Sequence, residues 1–119
     1  MSTSTKGLLS DADALIRLRK SKLDSQKVLQ LDGEKAGKLW ALQKAEYDEL
    51  LRLEAADIDD IDDENPGVWV ANIVTDNDHH SHAQFFHDAR TDHPSSSADF
   101  WAGFVSAAVG VLNWEREQP

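Results

Sequence analysis

The stretch TDNDHHSHAQFFHDARTDHP, residues 75–94, carries every histidine of the chain: His79, His80, His82, His87 and His93, with Asp76, Asp78, Asp88 and Asp92 beside them. Neutral imidazole nitrogens and carboxylate oxygens are the donors that zinc, nickel and manganese take. Donor type alone does not build a site. A zinc-protease helix sets two histidines four residues apart with a glutamate next to the first, and no HExxH occurs here. His80-Ser81-His82 is followed by Ala83 and Gln84 rather than by a further aspartate and histidine. The expectation is a solvated or partner-facing loop, with no cofactor and the five histidines as weak metal candidates only.

The other chemistries fare similarly. Asp60, Asp62 and Glu64 alternate as the first oxygen ligands of a calcium loop do, but Asn65-Pro66 stands where that loop needs glycine, and Ala71 where it needs its closing glutamate. Ser81, Ser95, Ser96 and Ser97 lie near histidines, as nucleophilic catalysis would require, yet a polar loop of this composition brings them together anyway. There is no GxSxG elbow and no glycine-rich phosphate loop. The absence of cysteine excludes disulfides, thiolate zinc sites and cysteine nucleophiles. The expected class is therefore a protein that binds rather than an enzyme.

Charge says more about partners. Residues 1–53 hold ten Lys or Arg against eight Asp or Glu, and residues 54–119 hold two against fourteen, so a net charge of −10 divides into +2 and −12. A half this acidic repels phosphates and anionic lipid, which argues against direct contact with nucleic acid or membrane and favours a protein with a basic surface. Six carboxylates crowd DIDDIDDE: Asp57, Asp59, Asp60, Asp62, Asp63 and Glu64. Trp69 follows closely and could supply an apolar anchor, so these seven residues are the candidate partner-binding patch.

The elements that must position these groups read mainly as helices. After a Ser/Thr-rich tail over residues 1–9, Ser10 or Asp11 caps a first amphipathic helix with Leu8, Leu9, Ala12, Leu15, Ile16 and Leu23 on one side and a slip in register near Asp24-Ser25. Asp32-Gly33 reads as a turn, and a second helix follows from Lys35 to about Asp57 with Ala36, Leu39, Trp40, Tyr47, Leu50, Leu51 and Ile58 in one broad stripe. Residues 10–57 thus form a helical hairpin. The acidic run at 58–67 reads as a linker ended by Pro66-Gly67. VWVANIVT, residues 68–75, is β-branched and aromatic and reads as a short strand or extended segment, opening a region 68–96 that contains the histidine loop, with Ala83 to Phe86 as one possible partner strand.

A last helix over 97–117 is apolar nearly all round. Phe100, Trp101, Phe104, Val105, Val109, Val111, Leu112 and Trp114 cannot all face one neighbour, so it is either central to the core or covered on a second side by another copy. Gly103, Ala107 and Gly110 form a ridge of small residues open to close backbone approach, and Phe100, Gly103, Phe104, Ala107 and Val111 are the candidate oligomer interface.

The reading is one small domain over residues 10–119, mainly α with an α+β arrangement as the alternative. Its expected function is that of an acidic, non-enzymatic protein-binding protein, of the inhibitor or adaptor type that phages and bacteria encode, occupying a basic surface and imitating a nucleic acid backbone. The alternative is a structural subunit of a homo-oligomeric or virion-type assembly, and a further one is a metal-binding protein using the histidine loop. The apolar run Phe100–Trp114 is shorter than the ~20 residues that cross a bilayer, and the start MSTSTKGLLSD lacks a secretory core, so the expected location is the cytoplasm, or a virion for the assembly reading.

Overall fold

A computed structural model describes residues 25–91 and 97–118. Over these residues the fold is mainly α and contains no strand. Helix α1 runs through 25–43, α2 is Tyr47–Ala55, α3 is Pro66–Val74, α4 is His82–Ala89 and α5 is Ala98–Glu117, with single 3-10 turns at Ile58–Asp60 and His79–Ser81. The tail and the predicted first cap at Ser10 or Asp11 lie outside the described residues.

Asp32-Gly33 is not a turn. The helix continues through it because Gly33 and Gly37 lie under α5, where a Cβ would land on the backbone carbonyls of Phe100 and Phe104. The glycines serve close helix packing instead of chain reversal. From the other side Gly103 of α5 receives the Gln30 carbonyl in the same way. The reversal comes later, at 44–46, where the amides of Lys44 and Ala45 both bond the Trp40 carbonyl at 2.9 Å and Glu46 starts α2. Glu46 and Glu49 form a reciprocal capping box, with Glu46 N–H donating to Glu49 Oε1 at 2.8 Å.

VWVANIVT is helix, not strand. Pro66 at the first helical turn is preorganised for α backbone, and Val70, Ala71 and Val74 then fall on one face that is completely buried. Burial against α2, α4 and α5 outweighs the modest helical penalty of β-branched residues. Helix α3 ends at Thr75, whose hydroxyl returns to the Ala71 carbonyl at 2.7 Å, and the left-handed pair Asp76 and Asn77 turns the chain away. The Ala83 to Phe86 segment is likewise helical, within α4. Arg52 of α2 ties the two middle helices together by donating to the carbonyls of Ile73 and Val74 at the end of α3, satisfying groups that the helix itself leaves open.

The core is aromatic and α5 is at its centre. Trp101, Phe104, Ala108 and Leu112 are completely buried. Trp101 and Phe104 lie 4.9 Å apart between ring centroids, Trp40 packs on Phe104 and on Phe85 at 5.4 Å, and Phe86 packs on Trp101. Ser97 caps α5 by accepting the Phe100 amide at 3.2 Å. At its far end Arg116 donates to both Glu54 carboxylate oxygens, at 2.6 and 3.0 Å, fixing α5 to α2. No helix among the described residues is long and apolar enough to cross a membrane.

Candidate functional site

The acidic run from Asp57 to Glu64 forms a built surface loop. Asp57 caps the 3-10 turn Ile58–Asp60 by accepting the Asp59 amide at 3.0 Å, and Asp62 accepts the amides of Glu64 at 3.0 Å and Asn65 at 3.4 Å. Two of the six carboxylates are thereby spent on shaping the loop. All six are exposed, and among the described residues none is in an ion pair. Ile61 tucks part of its side chain against the core and anchors the middle of the loop. The result is an exposed edge of negative charge shaped by its own hydrogen bonds. Trp69 stands on the first turns of α3 just beyond it, half-buried against the core with the rest of its ring accessible.

The histidine stretch is divided among different local roles. Asp78 caps the turn His79–Ser81, accepting the His80 amide at 3.1 Å and the Ser81 hydroxyl at 2.8 Å. Those two bonds, the Ser81 hydroxyl first, hold the Asp78 carboxyl below the ordinary carboxylate range. His79 and His82 stack edge-on at 5.0 Å, and His82 continues onto Phe86 at 6.3 Å. His80 points to solvent and His87 lies farther along α4. Asp92 and His93 fall outside the described residues. Among the described residues no three histidine or acidic side chains converge as metal ligands. Ser81, the serine nearest these imidazoles in sequence, directs its hydroxyl to Asp78.

The small-residue ridge on α5 has two different fates. Gly103 is covered by α1 of the same chain, and Phe104 and Val111 turn inward with it, while Phe100 is half-buried. Ala107 and Gly110 instead face an open groove between α1 and α5, where nothing lies within 4 Å of the Cβ position of Gly110. Sequence reasoning missed this groove, whose α1 side exposes Leu31 and Leu42. The signal was the repeat of apolar residues at Val28, Leu31 and Leu42 off the core stripe, together with a stripe on α5 too wide for one neighbour. A hollow lined by Lys44, His87, Asp88 and Arg90 lies at the C-terminal ends of α1 and α4. No protein-family model, no curated protein and no solved structure matches this chain.

Proposed function

We propose that this is a non-enzymatic protein-binding protein whose acidic edge, Asp57 to Glu64, docks on a basic surface of a partner. The observation that carries the reading is that six exposed carboxylates within eight residues have no cationic partner in the described fold, on a loop held in shape by two of them. Such crowding costs self-repulsion, which a cationic surface offsets on contact. The pattern suits an inhibitor or adaptor that occupies a nucleic-acid-binding face of its partner, because closely spaced carboxylates imitate a run of phosphates. Trp69 beside the loop adds apolar contact that charge alone lacks.

The test is kinetic. With a partner captured from the native host, replacing Asp59, Asp60, Asp62 and Asp63 by asparagine should slow association by about tenfold or more at low salt and flatten its salt dependence, with the helical circular-dichroism spectrum retained. Asp57 and Asp62 have different standing: Asp57 is left intact because it caps the 3-10 turn, and an Asp62→Ser control preserves a short capping oxygen. Unchanged association at every salt concentration would reduce the edge to a solubility feature.

A further inference from the structure

Among the described residues, a groove of about 680 Å³ lies open between α1 and α5. Its walls are Leu31, Leu42 and Trp114, which are 54 %, 51 % and 56 % exposed, and its floor is Ala107 and Gly110. Exposed tryptophan and leucine around a floor of alanine and glycine make a track that another helix can enter closely. The rim is basic. Lys35 and Lys38 line it against Glu34, and Lys27 lies on the same face of α1 about three turns from Lys38. Two lysines against one glutamate give the groove lining a net charge of +1 in a chain whose total is −10.

We propose that the groove receives an amphipathic helix of a partner protein whose apolar stripe is flanked by aspartate and glutamate. Apolar residues at i, i+4, i+7 and i+11, spanning the eleven-residue separation of Leu31 and Leu42, reach Leu31, Leu42 and Trp114, while the acidic flanks pair with Lys35 and Lys38. The lysine stems line the walls and their ammonium heads stay in water. The sign of the rim selects this occupant over the others. A second copy placed across a two-fold axis so that Leu31 meets Leu42 also sets Lys35 against Lys38, like charge on like. By sequence, the chain's own segment 8–23 holds four cations, Arg17, Arg19, Lys20 and Lys22, against two aspartates, Asp11 and Asp13, a net charge of the same sign as the rim. An anionic bilayer is flat where the groove is concave, and the acidic half of the chain repels it.

The test uses the full-length protein and three synthetic helical peptides: leucine at the four stripe positions with glutamate elsewhere, the same stripe with lysine elsewhere, and a scrambled glutamate version. The readout is Trp114 emission, taken as the difference from the Trp114→Phe protein, because a lysine peptide can also bind the acidic edge without touching Trp114. The glutamate peptide should give a saturable blue shift, with the lysine and scrambled peptides at least ~10-fold weaker. Lys35→Glu with Lys38→Glu should invert that preference. Gly110→Leu should abolish the shift without lowering the melting temperature, since its side chain enters open space and leucine favours helix over glycine. Asp59→Asn with Asp60→Asn should leave the shift intact, separating this groove from the acidic edge. The proposal is overturned by equal shifts from all three peptides or by no shift at ~1 mM glutamate peptide. It is equally overturned by a dimer in light scattering that Leu42→Glu dissociates, by a Trp114 already shielded from quenchers in the free chain, or by a shift from phosphatidylserine vesicles with none from the peptide.

Discussion

Helical glycine normally costs about 1 kcal/mol relative to alanine, so each of the four helical glycines on α1 and α5 requires a packing explanation or lacks one. Gly37 has one: a methyl there meets the backbone of Phe104, which cannot swing aside as a side chain does. Gly37→Ala should therefore lower stability by about 1–3 kcal/mol despite alanine's better helix propensity. Gly110→Ala, in open space, should raise it by about 0.5–1 kcal/mol. Urea melts of the two variants check the contrast, and a matched sign would refute the interlocking of α1 and α5. Glu49 gives a pH-dependent counterpart. Burial first, with Glu46 and Asp88 nearby, raises its pKa even though the carboxylate accepts the Glu46 amide. A raised carboxyl favours the folded state below the unfolded value of about 4.3, and that contribution is lost as pH rises through the folded value. Glu49→Gln keeps the capping geometry and removes the charge. It should melt higher than the parent at pH 7, with the gap closing below about pH 4; a gap that widens on acidification would reverse the assignment.

Among the elements, α2 carries much of the assembly because it touches both α3 and α5. Leu50 on its inner face is 2 % exposed, so Leu50→Ala should cost about 2–4 kcal/mol in denaturant melts, and a loss below about 0.5 kcal/mol would place the side chain outside the core. The stripe that named Leu50 also named Trp40, which is buried, and Leu39 and Tyr47, which are 49 % and 53 % exposed. Leu39 lies one residue, about 100°, off the buried Trp40 on the same helix, and the misplacement of Tyr47 follows from the turn. Reading the reversal at Asp32-Gly33 made residues 35–57 one continuous helix with one phase, whereas the break at 44–46 gives α1 and α2 separate faces. Local sequence could not distinguish a glycine that ends a helix from one that admits a neighbour, because the neighbour is 67 residues away at Phe100. The same distance hid α3, whose valines and isoleucine match strand preference and become helical only against a core made by α2, α4 and α5. By contrast α5 was legible from its cap at Ser97 and its all-round apolarity, which the structure resolves by placing it centrally. The acidic edge needed no tertiary information, since its density is a property of consecutive residues. The groove did need it: Leu31 and Gly110 become neighbours only when the helices cross.

At the scale of the whole molecule, the described residues present two chemically distinct surfaces. The groove joins α1 to α5 and so draws on both halves of the chain, whereas the acidic edge opens the half that carries −12. A molecule with two unlike surfaces is suited to hold two partners of opposite character, as an adaptor does. Solubility alone would be served by carboxylates dispersed over the surface, and here six of the chain's 22 fall within eight consecutive residues of one shaped loop. The most direct measurement compares what the parent protein and the Asp59→Asn, Asp60→Asn, Asp62→Asn, Asp63→Asn variant capture from the native host, quantified by mass spectrometry with both proteins verified as folded. The account predicts a protein with a basic surface enriched on the parent and depleted about tenfold or more on the variant. The same proteins recovered in the same amounts on both would contradict it.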